Sequence, residues 1–258
     1  MFDGSDDGEH HPCRYRVGCA DNLFGALDLN NGGFKYVSDL GFTPAGLGVA
    51  GGTLYTAMGG GSQLYTLDTT TGVTTFLGNA SAAYFAFGST SDGLYMIDTA
   101  GSLWSVNPKN GSSTMLGSTH LNVENVQSIA LSTGTNTLYL ALNSDLYTIS
   151  TTTGLASFIG TSGSTDFGAL IDISGQVYAN TVVSPNSVYI FNPATGVSSF
   201  VTLSTAPNYS FGLASVAPEP SSLALLGIGA LIGVCALKRK RNIAQCTSGS
   251  EQTKFSHL

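Results

Sequence analysis

The chain has 258 residues, enough for one large all-β domain or two small ones, and only 10% of them are charged against the usual quarter. Formal net charge is −7, and between Val17 and Leu237 only Lys35 and Lys109 are basic, against eleven acids. That balance excludes nucleic-acid binding, which needs basic patches to meet phosphates.

Met1–His11 is acidic and contains no apolar run. It lacks the basic n-region and apolar h-region of an export signal. The expectation is that the true start lies upstream or the signal has been lost, with residues 1–13 forming a disordered acidic tail. His10, His11 and Cys13 resemble a soft-metal cluster, but such a flexible tail favours adventitious binding, and no metal site is assigned. Cys13 and Cys19 can form one bridge or stay as thiols, while Cys235 and Cys246 lie near the C-terminus.

From residue 14 to 216 the chain repeats. A unit reading Leu-aromatic-x-apolar-Asp/Asn/Ser, a turn ending in Gly, and an apolar strand runs from Leu23-Phe24 to Gly32. It recurs from Leu64-Tyr65 to Gly72, Leu103-Trp104 to Gly111, Leu146-Tyr147 to Gly154, and Val188-Tyr189 to Gly196. The aromatics are spaced by 41, 39, 43 and 42 residues and the turn glycines by 40, 39, 43 and 42. Between the units lie apolar–Tyr strands at Leu54-Tyr55, Leu94-Tyr95, Leu138-Tyr139 and Val177-Tyr178. Further apolar stretches occupy 46–50, 84–87, 126–131, 167–173 and 211–216. Four short strands per period of about 40–45 residues, with turn signals between them, are the pattern of a β-propeller blade.

The expected fold is therefore all-β, a propeller of four-stranded blades. Five blades are favoured, with residues 211–216 and 14–20 completing the first; missing upstream sequence would allow six or seven. The pattern resembles the Leu-Tyr-x-x-Asp-x-x-Thr-Gly propeller repeats of bacterial exported proteins, over residues 14–216. That resemblance implies architecture and no chemistry.

Candidate chemistry in the body is sparse. Gly46-Leu-Gly-Val-Ala-Gly51 matches the dinucleotide fingerprint, but Gly52-Thr53-Leu54-Tyr55 continues as turn and strand instead of a phosphate-binding helix. His120 with Glu124 sits on a polar loop and reads as solvated. The proposed inner strands offer Asp172 and little else for acid–base or metal chemistry. Asp28, Asp68, Asp98, Asn107 and Asn192 recur at strand ends and read as residues that bond their own turns, with calcium as a lesser alternative. No catalytic, cofactor-binding or metal residue is assigned, and no cofactor is expected.

The tail is different. Pro218-Glu219-Pro220 is a rigid extended tripeptide, since both prolines fix φ and restrict the residue before them. Ser221–Leu237 carries no charge and reaches the lower limit, about 17 residues, for a membrane-spanning helix. Its Gly229-Ala-Leu-Ile-Gly233 spacing is one that lets helices approach closely. Lys238, Arg239, Lys240 and Arg241 then form a stop-transfer cluster that the positive-inside bias keeps in the cytoplasm. This order over residues 217–241 resembles the PEP-CTERM sorting signal of exosortase substrates in Gram-negative bacteria. The resemblance implies Pro218, Glu219 and Pro220 as recognition residues and an exosortase-type enzyme as partner. It also implies anchoring in the inner membrane with the body facing the periplasm, then release to the surface or matrix, with extracellular polysaccharide as a candidate partner. Residues 242–258 run past the usual end of such a tag and are expected to be disordered.

The leading expectation is a non-enzymatic exported surface or matrix protein with a structural or adhesive role. A glycan- or protein-binding propeller module is the alternative, and a lactonase-like propeller hydrolase is disfavoured by the lack of inner carboxylates.

Overall fold

The structure is a computed structural model. It describes residues 22–205, except 125, 127, 135–136, 164–165 and 182–184, together with residues 212–214. Two compact units divide the chain at Val216. All described residues belong to the first; the expected membrane helix at 221–237 lies outside them. Among the described residues no helix is long and apolar enough to cross a membrane.

Every described element is a β-strand. A first hairpin pairs β1 (Leu23–Leu27) with β2 (Phe34–Asp39) as a separate two-stranded sheet. The second unit contains β3 (Pro44–Ala50), β4 (Thr53–Met58), β5 (Gln63–Leu67) and β6 (Thr74–Asn79). In the third, β7 (Ala86–Thr90), β8 (Gly93–Ile97), β9 (Ser102–Val106) and β10 (Ser113–Ser118) follow the same order. The fourth has β11 (Ile129–Thr133), β12 (Leu138–Leu142), β13 (Asp145–Ile149) and β14 (Ala156–Thr161). The fifth has β15 (Phe167–Ile173), β16 (Gln176–Thr181), β17 (Ser187–Phe191) and β18 (Ser198–Leu203). Each four-strand unit is an antiparallel meander.

The first strands of these units run parallel and meet at only one or two positions: Gly46 with Phe87, Thr133 with Ser89, and Ser132 and Thr133 with Leu170 and Ile171. Among the described residues this parallel ladder stops at β3 and β15 and does not close on itself. Residues 14–20, expected to complete the first unit, lie outside the described residues, as do 211 and 215–216. Of the expected final strand, Gly212 is described, and it packs on β3: a Cβ there would lie 2.6 Å from the Leu47 nitrogen.

The period and the turn glycines fall where the sequence places them, while β7 and β11 begin two and three residues later than the expected stretches at 84–87 and 126–131, and the first unit shows one slip of register. The cross-strand partner of Tyr36 is Gly25, and that of Phe76 is Tyr65. Gly25 therefore stands where Tyr65 stands, and Phe24 takes the place of buried Leu64. The aromatic interval of 41 beside a glycine interval of 40 is the trace of that shift. The Phe34 ring fills the missing aromatic's place, with its tip 2.5 Å from where a Gly25 Cβ would be.

Apolar clusters lie between consecutive sheets. Tyr55, Leu64 and Ala57 pack against Phe87, Leu94 and Met96. Tyr95, Ile97 and Leu103 meet Leu131, Leu138 and Leu140. Ala141 and Leu146 meet Phe167, Leu170 and Val177. Leu54 and Leu67 hold Phe24, Leu40 and Ala214. Middle strands thus bury both faces, which is why β12 (Leu-Tyr-Leu-Ala-Leu) is buried at every position and does not alternate.

A second contact joins neighbours further out. The turn glycine of one unit rests on the last strand of the unit before it. A Cβ on Gly111 would lie 2.9 Å from the Gly78 carbonyl carbon, and one on Gly154 or Gly196 would lie 2.6 Å from Gly117 or Gly160. Gly72 meets the Ser38 side chain in the same way. The fifth such contact joins the ends of the body: Gly32 meets Leu203, whose carbonyl carbon would be 2.7 Å from a Cβ. Hydroxyls reinforce these joints. Ser81 N donates to Ser113 Oγ (2.8 Å), and at the equivalent place Phe34 N donates to Thr205 Oγ1 (2.8 Å). Thr205 N also donates to the Gly32 carbonyl at 2.8 Å.

Gly160→Ala drives a methyl group into the Thr195 carbonyl. Urea denaturation should show a loss of about 1–3 kcal/mol from overpacking. Ser157→Ala, on the exposed face of the same strand, should stay within about 0.5 kcal/mol of wild type.

Candidate functional site

The expected recognition residues Pro218, Glu219 and Pro220 and the expected Lys238–Arg241 cluster lie outside the described residues. What precedes them is described: residues 212–214, with Ala214 packed in the apolar cluster of Leu54 and Leu67. The body therefore includes residue 214, only a few residues before Pro218.

Within the body, the recurrent turn residues are structural. Asp28, Asp68, Asn107, Ser150 and Asn192 occupy one position of the repeat. Each accepts the N–H of the turn glycine at its carbonyl and donates its own N–H across the turn, all at 2.8–3.0 Å. Their side chains cap the loop as well: Asn107 Oδ1 accepts Lys109 N at 2.9 Å, and Asn192 Oδ1 accepts Ala194 N at 2.9 Å. Asp68 accepts three such bonds at Oδ1, from Thr71 N (2.7 Å), Thr71 Oγ1 (2.9 Å) and Thr70 N (2.9 Å). The Thr71 backbone bond foremost, then the Thr71 hydroxyl and the Thr70 amide, hold its carboxyl below the ordinary 3.8.

Asp98 is not part of that series. It lies in the β8–β9 turn, buried, where Oδ1 accepts Ala100 N (2.9 Å) and Ser102 N (2.8 Å) and Oδ2 accepts the Trp104 indole N–H (2.8 Å). The 40-residue period could not separate it from Asp68, because both open a turn that ends in glycine.

Asp172 also caps a turn. It is buried, its Oδ1 accepts Gly175 N at 2.8 Å, and its Cβ would stand 2.5 Å from a Cβ on Gly134. Main chain fills the middle of the assembly beside it. Thr133 Oγ1 donates to the Leu47 carbonyl at 2.7 Å, joining first strands two units apart. Val49 N donates to Ser89 Oγ at 2.9 Å, and Gly134 N to the Ser89 carbonyl at 3.0 Å. The Gly46–Gly51 run supplies this close approach: Gly46 abuts the Phe87 main chain and Gly51 turns toward β4. The fingerprint-like spacing is thus strand and turn.

His120 is exposed with φ at 58°, in a turn where its N–H donates to Ser118 Oγ at 3.1 Å. Among the described residues no group of three His, Cys, Asp or Glu could hold a metal ion. Burial raises the Asp166 carboxyl. The Tyr147 phenol is raised first by burial and then by the Asp145 charge. Tyr84 is fully buried, its hydroxyl has no hydrogen-bond partner among the described residues, and burial pushes its pKa up strongly.

One repeated feature escaped the sequence reading. Tyr36, Phe76, Met115, Phe158 and Phe200 are the third residues of β2, β6, β10, β14 and β18, and all are at least half exposed. Each falls four positions after its turn glycine, a spacing visible in the chain. Three of them meet the aromatic of the adjacent strand edge-on: Tyr65–Phe76 at 5.7 Å, Tyr147–Phe158 at 5.4 Å and Tyr189–Phe200 at 5.8 Å.

The geometry defines an all-β repeat body. The family model for the PEP-CTERM protein-sorting motif matches residues 216–240, so the chain carries that C-terminal signal. Such a motif implies export, membrane-anchored processing before release, and an exosortase as the processing enzyme. No curated protein matches the chain. In structure, 70% of it superposes on 56% of a structural-genomics protein of unknown function from Bacteroides thetaiotaomicron, with TM-score 0.50 and 14% identity. The likeness is one of fold, and the chain spans little more than half of that protein. Hydrazine synthase from Kuenenia stuttgartiensis aligns with 60% of the chain over 47% of its own length, at 19% identity. Its TM-score of 0.42 is too low to define a shared fold.

Two outcomes follow. Tyr84→Phe removes a buried, unpartnered hydroxyl and should leave stability unchanged or raise it by about 1 kcal/mol in thermal unfolding. For Asp68 the folded pKa lies below the unfolded one, so its turn contribution is present above about pH 4 and lost as pH falls through the folded value. A carboxyl-carbon NMR titration should put its midpoint below 3.8.

Proposed function

We propose that this chain is an exported cell-surface or extracellular-matrix protein with a non-enzymatic, structural or adhesive role, and that its body is a five-bladed propeller. The match over residues 216–240 carries the reading. In this proposal Ser221–Leu237 spans the inner membrane, Lys238–Arg241 stays cytoplasmic, and Pro218, Glu219 and Pro220 are read by the exosortase. The body faces the periplasm until processing releases it.

The body's chemistry supports this reading. Its carboxylates at Asp68, Asp98 and Asp172 accept hydrogen bonds from their own turns. Five equivalent glycine contacts between units, one of them joining Gly32 to Leu203, support a ring of five. In that ring the first blade's inner strand comes from the C-terminal end of the body, where Gly212 already lies on β3.

Intact-mass analysis in hosts with and without the sorting enzyme tests the sorting step. The mature protein should lack the Lys238–Arg241 cluster only where the enzyme is present, and Glu219→Ala should restore the unprocessed mass there. Persistence of the full tail through Leu258 in both hosts would overturn the reading.

A further inference from the structure

The outermost strands of the body combine three properties that natural sheets keep apart. First, each has a free edge: among the described residues β2, β6, β10, β14 and β18 pair with one strand each, namely β1, β5, β9, β13 and β17. Second, four of them carry no charge. Their sequences are Thr-Thr-Phe-Leu-Gly-Asn, Ser-Thr-Met-Leu-Gly-Ser, Ala-Ser-Phe-Ile-Gly-Thr and Ser-Ser-Phe-Val-Thr-Leu. Third, each exposes a large apolar side chain near its middle: Phe76 at 53%, Met115 at 50%, Phe158 at 60% and Phe200 at 56%. Val73, Leu155 and Val197, just before three of these strands, are also about half exposed or more. An edge rich in Thr, Phe, Ile and Val, without Lys or Pro, is a template for another strand. Only β2 is protected in the usual way, by Lys35 beside Tyr36 and by Asp39.

We infer that these four edges are self-association surfaces, and that their occupant is a second copy of this chain. The partner chemistry is self-complementary: a strand edge with no second strand partner among the described residues, hydroxyl side chains, and an aromatic or Met anchor. No like charges oppose one another across such a pairing, although the whole chain carries −7. Each edge has one irregularity in its register, as at Leu64/Tyr65 against β6 and Met115/Gly117 in β10. It confines pairing to the first half of the strand, so each contact is small and weak. Four such edges on one molecule let it pair with more than one copy at once, so they build assemblies larger than dimers. The inference rests on the body alone and does not depend on processing of the tail.

The test uses the full chain in mild detergent, by sedimentation over a concentration series. Wild type should show a weight-average mass that rises past the dimer. The variant carrying Phe76→Lys, Phe158→Lys and Phe200→Lys should associate at least about tenfold more weakly with an unchanged thermal midpoint. A wild-type mass that stays monomeric across the series, or a folded variant that associates equally, overturns the inference. Hydrogen exchange on the wild type needs no variant. Amides of residues 74–77, 113–116, 156–159 and 198–201 should slow as concentration rises. Mass growth without that protection locates association elsewhere and sinks the proposal. Monomeric wild type retarded on a neutral polysaccharide gel, with retardation lost in the lysine variant, likewise overturns it and makes these edges a glycan surface.

Discussion

Gly111 presses its α-carbon against Gly78 so closely that no side chain fits between the two main chains. The same meeting recurs at Gly154 with Gly117 and at Gly196 with Gly160. These joints set the spacing of the units, and the apolar clusters fill what that spacing leaves. Tyr55 and Leu64 reach Phe87 and Met96 because their sheets are held at a fixed separation further out. Two residue types thus divide the work. Glycine brings backbones together at the rim and the middle, and Leu, Tyr and Phe fill the layers between.

The polar side chains follow from this close approach. Where strands converge, as β3, β7 and β11 do, ladders are reduced to single pairings. Backbone groups left over must still be satisfied. Ser89, Ser132 and Thr133 do this with short hydroxyls that reach Val49 N, Tyr139 N and the Leu47 carbonyl. Longer or charged side chains would not fit there. The low charge of the body is therefore a consequence of its architecture as well as a clue to its destination.

Much of this could be read from residues alone. The turn glycines and the Leu-Tyr strands located β4, β8, β12 and β16, because Gly and alternating turn residues punctuate strands strongly. The PEP tripeptide, uncharged run and basic cluster were legible because each has its own physical signature. What stayed hidden depended on which strand lies beside which. Phe24 was aligned with Tyr65 because aromatic identity was followed where the turn glycine kept the true count. Asp98 was grouped with Asp68 although its carboxylate holds Trp104. The exposed residues four positions after each turn glycine were not singled out, since an apolar residue in a strand gives no sign that its strand is the outermost one.

The joint between Gly32 and Leu203, with Phe34 N on Thr205 Oγ1, links residues 171 positions apart. Every other rim joint links units that are neighbours along the chain. During synthesis the second to fifth units can stack one after another, each on a finished predecessor. The first hairpin can pack on the second unit early, through Gly72 and Ser38, but its other joint waits until residue 205 has emerged, and Gly212 can reach β3 only a few residues later. Loop closure over such a span is the slowest kind of contact to form. Assembly of the body is thus timed by the arrival of the segment that leads into the sorting signal, so a chain truncated before that segment lacks the address and the last joint of the fold together.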